Sequence, residues 1–332
     1  MRDGQTTLVL VADESQVGEA RRAMALLCQR QSLDDNACGA AALVTTEAAT
    51  NLVKHAGGGE MLLRGIEDGV EVMALDRGPG MADVAASLRD GHSTKGTQGN
   101  GLGAIRRMAT SFDIYSTPGK GTALLARVQS SPVSASGLRL DIGAVSLPKS
   151  GETFNGDNWL AQPAARGVRI LVVDGLGHGP IANDASRAAV EAFRAAPDEP
   201  PEAAVETCHL ALRSTRGAAL AVTEVDVQAG VVRFAGVGNI AGSIWNGTVS
   251  HHTVSHNGTA GHGLIRIREF SYPWAKGALL VLASDGLATR WTLESYPGLP
   301  ARDPSLGAAI LYRDHSRQRD DVTVVVAREP RA

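Results

Sequence analysis

Val168-Arg-Ile-Leu-Val-Val-Asp174-Gly-Leu-Gly-His-Gly179 is an apolar run that ends on a carboxylate and then breaks into alternating glycines. The aliphatic and β-branched residues predict a buried strand, and the apolar spacing of residues 180–196 predicts a helix directly behind it. Because Gly175 has no Cβ, its carbonyl could turn toward a cation that Asp174 also binds, and such oxygen ligands suit Mg²⁺ or Mn²⁺. The stretch therefore predicts part of a metal site, which needs further ligands.

Length and composition indicate a globular protein of about two domains. The chain has 332 residues, too many for one typical hydrophobic core, with 43% hydrophobic and 20% charged residues. A net charge of −3 provides no basic surface for nucleic acid or an anionic membrane. No export signal or bilayer-spanning run is evident, and the three scattered cysteines favour free thiols in a reducing compartment. We therefore expect a cytoplasmic protein that binds neither nucleic acid nor membrane.

Two amphipathic helices are predicted near the N-terminus. The first covers residues 16–30, with Ser15 as its N-cap. The second carries Glu47 and Asn51 four residues apart on one face, with Lys54 a turn further on. That face would suit phosphates and a cation, although an ordinary solvated helix face explains the same pattern.

Two glycine-rich motifs follow. Asp76-Arg-Gly78-Pro-Gly80 comes after a predicted hairpin, so Asp76 could accept the exocyclic amine of adenine while the glycines let the backbone approach a flat base. Residues 96–103 open into a helix predicted over 104–111, and their amides could cradle a phosphate chain. A plain glycine turn explains either motif taken alone.

Together these motifs resemble the GHKL family of ATP-binding domains over roughly residues 6–128. The matching residues, in order, are Glu47 with Asn51, Asp76-x-Gly78-x-Gly80, Gly99-x-Gly101-Leu102-Gly103 and Gly121-Thr122. The segments around Ser93-Thr94 and Lys120 look more like the switch serine kinases of bacterial stress signalling than like histidine kinases or gyrase. The resemblance implies ATP with Mg²⁺ as cofactor, Glu47 as general base, Asn51 as a Mg²⁺ ligand and Asp76 as the adenine acceptor. The implied cofactor contacts are completed by Lys54, Gly78, Gly80, Gly99, Gly101, Leu102, Gly103 and Thr122.

Further carboxylates occupy strand ends in the C-terminal half. Asp157 precedes the opening stretch, Asp285 closes an apolar strand, and Asp320-Asp321 comes just before the final predicted strand. Several carboxylates held close together would repel one another unless cations neutralised them, and two divalent ions would lower the pKa of a shared water. A turn or a helix cap explains each of these residues taken singly.

In order and content these residues resemble the metal-dependent, type 2C protein phosphatases of the sporulation stage II E subgroup. The matching motifs are Asp174-Gly-Leu-Gly-His-Gly, Gly236-Val-Gly-Asn239, Ser284-Asp-Gly and Asp320-Asp-Val-Thr. The resemblance implies that Asp174 bridges two Mn²⁺ or Mg²⁺ ions, that the Gly175 carbonyl joins one of them, and that Asp285 and Asp320 bind the other. It also implies that Asp157 contacts a metal directly or through water, while the doublet leaves Asp320 and Asp321 open as alternatives.

Two side-chain roles stay open in this half. Eukaryotic relatives hold the substrate phosphate with an arginine near the N-terminal strand, and we find no clear counterpart in this sequence. His178 lies three residues past Gly175, where it could donate a proton. A histidine in a glycine turn is more often structural or solvent-facing, and we favour that interpretation.

The resemblances predict an α/β protein of two domains. Residues 1–130 would form a GHKL α/β sandwich, a mixed sheet covered by helices. Residues 138–330 would form an αββα sandwich of the metal-dependent phosphatase type. Residues 131–137 are small, polar and proline-containing, as is typical of an interdomain linker.

The two resemblances together imply a bifunctional regulator of bacterial partner switching. A serine/threonine kinase domain using Glu47 and a phosphatase domain using Asp174 would act in opposition on a STAS-domain switch protein, with a sigma or anti-sigma factor as a further partner. A rival interpretation makes the N-terminal domain a nucleotide-gated, anti-sigma-like binding module without kinase activity, although Glu47 weighs against it. The sequence does not decide the oligomeric state, for which a homodimer is one candidate.

Overall fold

The computed structural model describes residues 6–88, 101–130, 140–263 and 265–330. The chain divides into two units, one within residues 6–134 and the other mainly within residues 135–332. The predicted linker, residues 131–137, lies outside the described ranges and stays a prediction. No helix in the described ranges is long and apolar enough to cross a membrane. The three cysteines, Cys28, Cys38 and Cys208, are free thiols.

The N-terminal unit is a five-stranded sheet with helices packed against it. The strands are β1 (Thr7–Val11), β2 (Gly59–Ile66), β3 (Gly69–Leu75), β4 (Ser111–Ser116) and β5 (Thr122–Gln129), and the helices are α1 (Glu14–Arg30), α2 (Asp35–Asn51), α3 (Val84–Ser87) and α4 (Gly101–Met108). The sheet order is β1-β2-β3-β5-β4. Met24 of α1, Val44 of α2 and Ile105 of α4 pack in one core with Leu63 and Val72 of the sheet.

All the described strand pairs in this sheet are antiparallel, so the predicted α/β sandwich is present but its sheet is not mixed. The physical reason lies in the connections. The tight turns that join β2 to β3 and β4 to β5 return the chain beside itself, which forces antiparallel pairing.

Helix α1 begins at Glu14, two residues before the predicted start at residue 16. The Asp13 carboxylate accepts the N–H of Ser15 at 2.8 Å, and Gln16 Oε1 accepts the N–H of Asp13 at 3.0 Å. Asp13 is therefore the N-cap of a capping box, and the prediction of Ser15 as the cap is wrong. The Ser15 hydroxyl instead donates to the same Asp13 oxygen, at 2.6 Å.

Helix α2 runs into a π-helical turn, Leu52–Ala56, which ends at Gly57 in the left-handed conformation with φ +74°. The widened turn begins directly after Asn51 and carries Lys54. Such turns are rare and frequently mark functional positions in helices. The break in helical geometry therefore falls at one of the predicted nucleotide-binding residues.

The C-terminal unit contains two five-stranded sheets. The first has the order β13-β10-β9-β8-β7 and the second β12-β11-β14-β15-β6. The strands are β6 (Asp141–Leu147), β7 (Asp157–Ala164), β8 (Gly167–Gly175), β9 (Ala218–Asp226), β10 (Val231–Val237), β11 (Ala241–Trp245), β12 (Ser250–His252), β13 (Phe270–Pro273), β14 (Leu279–Ala283) and β15 (Val322–Arg328). The helices are α5 (Pro180–Ala195), α6 (Pro201–Ala211) and α7 (Pro304–His315).

The two sheets of this unit face each other across a buried core, and helices cover their outer faces. The core between the sheets contains Trp159, Ile170 and Phe234 from the first sheet and Leu280 and Val325 from the second. Helices α5 and α6 pack on the outer face of the first sheet, and α7 packs on β6 and β15 of the second. The predicted αββα sandwich is confirmed.

Helix α7 packs closely on Gly143 of β6 in the second sheet. A Cβ added to Gly143 would overlap the backbone of Pro304 and Ser305, at the start of the helix. Further along the same helix, a Cβ on Gly307 would meet only the Val326 side chain, at an ordinary 3.5 Å. Gly143, in the sheet, and Gly307, in the helix, therefore lie at the same helix–sheet interface with very different amounts of space.

We expect Gly143→Ala to lower the free energy of unfolding of the C-terminal unit by about 3 kcal/mol, because the backbone of α7 must move to admit the methyl group. Gly307→Ala is the matched control, and it should raise that free energy by up to about 1 kcal/mol through helix propensity. Thermal unfolding followed by circular dichroism measures both variants. Equal transition temperatures would contradict the packing described.

Candidate functional site

Two predicted metal ligands meet at one end of the β7–β8 pair. Asp157 lies directly opposite Asp174 in the antiparallel register. The N–H of Gly175 donates to the Gly156 carbonyl at 3.1 Å across the same pair. A Cβ on Gly175 would overlap the carbonyl oxygen of Ala182 in α5, so only glycine lets that helix approach so closely. Strand pairing and glycine together hold both carboxylates beside the start of α5.

A hydrogen bond joins this pair to the second sheet. The Ser284 hydroxyl, at the end of β14, donates to Asp157 Oδ2 at 2.6 Å. The same hydroxyl accepts the N–H of Thr323 in β15 at 2.9 Å. The other oxygen of the buried Asp157 carboxylate, Oδ1, has no hydrogen-bond partner among the described residues. A buried oxygen in that state suits a bound cation.

Electrostatic repulsion shows that the carboxylates share one region. Burial, followed by the charges of Asp285, Asp320 and Asp321, raises the pKa of Asp174 to about 8. Burial and the charge of Asp174 raise the pKa of Asp157 well above its usual range. A divalent cation would relieve this repulsion and favour the ionised carboxylates.

Asp285 lies just past the end of β14. Burial and the charge of Asp320 raise its pKa, while the charge of Arg317 and a hydrogen bond from Asn239 lower it. That hydrogen bond runs from Asn239 Nδ2 to Asp285 Oδ2 at 2.8 Å. Asn239, the last residue of a motif noted in the sequence, therefore orients one carboxylate oxygen of Asp285.

The two acids of the doublet have different surroundings. Asp321 is buried, and its two oxygens accept the N–H groups of Lys149 at 2.7 Å and Gly156 at 2.9 Å. Asp320 is exposed, and one of its oxygens accepts the N–H of Asp321 at 3.0 Å. Asp321 therefore holds both ends of the β6–β7 connection in place, while Asp320 is exposed to solvent.

The residues fit a divalent metal centre by their chemistry. Their donors are oxygens, Asp157 has an unpaired buried oxygen, and the raised pKa values reflect charge that a cation would neutralise. In the described part of the chain, no three acidic, histidine or cysteine side chains already stand close enough to hold an ion. The carboxylates would therefore have to move toward a metal on binding it.

A buried polar network behind the carboxylates escaped the sequence analysis. Asn155 Nδ2 donates to Ser146 Oγ at 2.9 Å, and Ser146 Oγ lies 2.8 Å from Thr323 Oγ1. Asn155 Oδ1 in turn accepts the N–H of Asp157 at 2.9 Å. The signal in the sequence was polar residues interrupting aliphatic strands, but only the fold shows that Ser146 and Thr323 meet. The network fixes the backbone that carries Asp157.

The side chains of Arg216 and Glu152 approach the glycine loop after Asp174. A Cβ on Gly177 would lie 3.2 Å from Nη1 of Arg216, so this guanidinium lies against the loop. Sequence analysis missed Arg216 because it is distant from the loop along the chain. His178 is half-exposed and its Nδ1 lies 2.8 Å from Glu152 Oε1, so it forms a surface pair.

In the N-terminal unit, Glu47 and Asn51 of α2 lie against the start of α4. A Cβ on Gly101 would lie 3.0 Å from Glu47 Oε2 and 3.4 Å from Asn51 Oδ1. The buried Asn51 Nδ2 has no hydrogen-bond partner among the described residues. An unpaired buried donor beside a carboxylate and a helix N-terminus suits a phosphate with its cation.

The second glycine motif is described only in part. Its last residues, Gly101, Leu102 and Gly103, form the first turn of α4, so this helix begins three residues before the predicted start at Ala104. The N–H groups of a first turn have no partner within the helix and can face an anion. Gly99 lies outside the described residues. Lys54 is exposed on the π-helical turn.

The first glycine motif forms a tight turn around Asp76. Its Oδ1 accepts the N–H groups of Gly78 at 2.7 Å and Thr122 at 3.2 Å. A Cβ on Gly78 would lie 2.9 Å from Ala56 Cα, at the end of the π-helical turn. Gly80 has φ +66°, which favours glycine. The structure therefore brings Asp76, Gly78 and Thr122 together and connects them to the helix of Asn51.

Comparison with known families assigns a different family to each unit. The model for a histidine kinase-like ATPase domain matches residues 10–128. The model for stage II sporulation protein E matches residues 164–330, half of the chain.

Two relatives from Bacillus subtilis match one unit each. The serine/threonine-protein kinase RsbT is 35% identical over 85 residues, which are 24% of this chain and 64% of RsbT. The phosphoserine phosphatase RsbX is 23% identical over 142 residues, which are 42% of this chain and 71% of RsbX. The chain thus spans slightly less than two thirds of the kinase relative's length.

Solved structures resemble a little more than half of the chain. One, from a study of the bacterial stressosome as a modular system adapted to control secondary-messenger signalling, is 27% identical with a TM-score of 0.53, covering 57% of this chain and 99% of its own. RsbX in complex with magnesium is 20% identical with a TM-score of 0.51, covering 57% of this chain and 96% of its own. The second likeness concerns the fold alone.

The raised pKa of Asp174 predicts how the stability of the metal-free protein depends on pH. The carboxyl group of aspartate ordinarily titrates near 3.8, so between that pH and about 8 the folded protein retains a proton that the unfolded chain has lost. The stability of the C-terminal unit should therefore fall as pH rises through this window, by at most about 1.4 kcal/mol per pH unit for this group. Thermal unfolding in EDTA measures the slope, and Asp174→Asn should make it shallower. Identical slopes for the two proteins would contradict the burial of this charge.

Proposed function

Because the chain belongs to the stage II sporulation protein E family, we propose that its C-terminal unit is a metal-dependent protein serine/threonine phosphatase. The observation that carries the proposal is the pair of Asp157, which is buried, and Asp174, which is half-buried, set opposite each other in the β7–β8 register. Burial and neighbouring acids raise the pKa of both groups: Asp174 acts on Asp157, and Asp285, Asp320 and Asp321 act on Asp174. Such a concentration of carboxylates is unfavourable without cations.

The proposed ligand roles are those that the family resemblance implies. Asp174 would bridge two Mn²⁺ or Mg²⁺ ions, with the Gly175 carbonyl on one of them and Asp285 on the other. Asp157 would contact a metal directly or through water. The choice of Asp320 over Asp321 as the remaining ligand is supported by the backbone amides of Lys149 and Gly156, which occupy both oxygens of Asp321.

The protein's own groups would orient this centre. When bound, the divalent ions supply Lewis acidity and an activated water for attack on phosphorus. Ser284 occupies one oxygen of Asp157 and so directs the other toward the centre, and Asn239 does the same for Asp285. Arg216, against the glycine loop, would bind the substrate phosphate, since a guanidinium fork matches phosphate oxygens.

For the N-terminal unit we propose an ATP-dependent serine/threonine kinase. Glu47 would take the hydroxyl proton of the substrate, and Asn51 would bind Mg²⁺ beside the phosphates. Asp76 would accept the adenine amine, while the first turn of α4 faces the phosphate chain. The 35% identity to a serine/threonine-protein kinase and the placement of Glu47 Oε2 near Gly101 support this role.

The two units would act in opposition on one partner. We take that partner to be a STAS-domain switch protein, with a sigma or anti-sigma factor in the same circuit, and a homodimer is compatible with this scheme. The alternative is that the N-terminal unit binds nucleotide and partner but transfers no phosphate. The Glu47 carboxylate beside the start of α4 favours the kinase, because binding alone needs no base there.

Purified protein with Mn²⁺ should release phosphate from a phosphorylated STAS-domain protein and from p-nitrophenyl phosphate. Asp174→Asn should reduce both rates by at least about a hundredfold, because a ligand shared by two ions is lost. Asp184→Asn, at an exposed position of α5, is the matched control and should keep both rates. Failure of the parent protein on both substrates would sink the phosphatase proposal.

Glu47→Gln should reduce ATP-dependent phosphorylation of the STAS-domain protein by at least about a hundredfold while retaining nucleotide binding, because only the base is removed. Glu19→Gln, on an exposed face of α1, serves as control. Intact mass of the partner and fluorescent-ATP titration give the two readouts. If the parent protein binds ATP and the partner yet never phosphorylates it, the binding-module alternative replaces the kinase.

A further inference from the structure

Large apolar side chains are exposed around the acidic centre. In the described part of the C-terminal unit, Phe154 is 47% exposed, Leu176 52% and Ile181 53%. These three residues are half of the large hydrophobic side chains exposed in that part, the others being Leu210, Val249 and Val254. A single exposed apolar residue needs no explanation, but a group of them beside a reactive centre indicates a contact surface.

The three residues belong to segments that pack directly on one another. The N–H of Gly175, beside Leu176, donates to the Gly156 carbonyl at 3.1 Å. A Cβ on Gly156 would lie 2.8 Å from the Cβ of Ala182, which adjoins Ile181. Each exposed apolar residue therefore stands one or two positions from a glycine or alanine at this junction.

A second contact, a hydrogen bond, joins the segment that carries Phe154 to helix α5. Asn183 Nδ2 of α5 donates to the carbonyl of Asn155 at 2.7 Å, and Asn155 directly follows Phe154. The backbone under Phe154 and Ile181 is thus held by buried contacts, although both side chains face solvent. A surface presented on a fixed backbone loses little entropy when it binds a partner.

The charge next to this surface suits a phosphorylated residue. The Arg216 guanidinium lies against Gly177, and the N–H of Leu176 donates to the carbonyl of Gly217 at 3.0 Å. An apolar surface, a guanidinium and the acidic centre therefore adjoin one another. A partner with apolar side chains around its phosphorylated residue would cover the apolar part and meet the guanidinium, whereas a highly charged peptide would leave the apolar part exposed.

We infer that Phe154, Leu176 and Ile181 form a docking rim for the folded protein whose phosphoserine or phosphothreonine enters the acidic centre. The inference rests on the proposed phosphatase function and adds to it the chemistry of the partner. The partner carries apolar side chains beside its phosphorylated residue, and they cover the rim while the phosphate reaches Arg216. A small aryl phosphate enters the same centre without covering the rim.

The test compares two substrates in the full chain loaded with Mn²⁺. For Phe154→Ser/Ile181→Ser, kcat/KM on a phosphorylated STAS-domain protein should fall by about tenfold or more, mainly through KM, because two apolar anchors are lost. kcat/KM on p-nitrophenyl phosphate should not change. Val249→Ser, at a position 54% exposed outside the rim, is the matched control and should alter neither value. Leu176 is left intact because it adjoins Gly175.

Each other outcome has a distinct meaning. A double variant that keeps the parent kcat/KM on the phosphoprotein overturns the rim, and so does an equal loss on both substrates, which would place the two residues in the centre itself. If the rim instead joins two copies of this chain, the double variant would have a lower mass than the parent protein in light scattering and an unchanged rate on the phosphoprotein. That result also overturns the inference. Inactivity of the parent protein on p-nitrophenyl phosphate would refute the proposed phosphatase and leave the rim without a substrate.

Discussion

The register of β7 against β8 is the constraint on which the acidic centre depends. Side chains alternate between the two faces of a sheet, so a slip of one residue in the pairing would place the carboxylates of Asp157 and Asp174 on opposite faces. Several buried contacts hold that register. Gly175 binds Gly156 across the pair, and the Ser284 hydroxyl binds Asp157 from the other sheet. Strand pairing in the first sheet therefore positions Asp157 and Asp174, and the Ser284 hydroxyl from the second sheet orients Asp157.

This arrangement is unfavourable in the metal-free folded protein, which must keep Asp174 protonated or hold like charges close together. Asp157 is buried with one oxygen unpaired, and burial and neighbouring acids raise the pKa of Asp174 to about 8. The αββα core and the polar network of Asn155, Ser146 and Thr323 stabilise the backbone that carries this charge. Folding and function are thus in tension here, as is usual where a protein gathers like charges for chemistry.

Much of the architecture could be predicted from the sequence, because long aliphatic strands and amphipathic helices have clear periods. The strand of Asp174, the helix behind it and the carboxylates at strand ends were of this kind, whereas the αββα layering was predicted from the family resemblance. Features set by side chains distant in sequence were not predictable: the contact of Arg216 with Gly177, and the meeting of Ser146 with Thr323. Competition between neighbouring N-cap candidates explains another difference. Asp13 and Ser15 are both favourable N-cap residues, and Asp13, whose backbone is extended, caps α1.

Asp320 and Asp321 are adjacent in sequence but lie in different surroundings. Asp321 ties the backbones at Lys149 and Gly156 together, and so belongs to the architecture. Asp320, exposed beside it, contributes little to the packing of the unit. Loss of the first would remove two backbone hydrogen bonds that hold the β6–β7 connection, whereas loss of the second, the ligand in our proposal, would leave that connection in place. Evolution could therefore silence the chemistry of this unit by one substitution and keep an intact scaffold that still recognises the same partners.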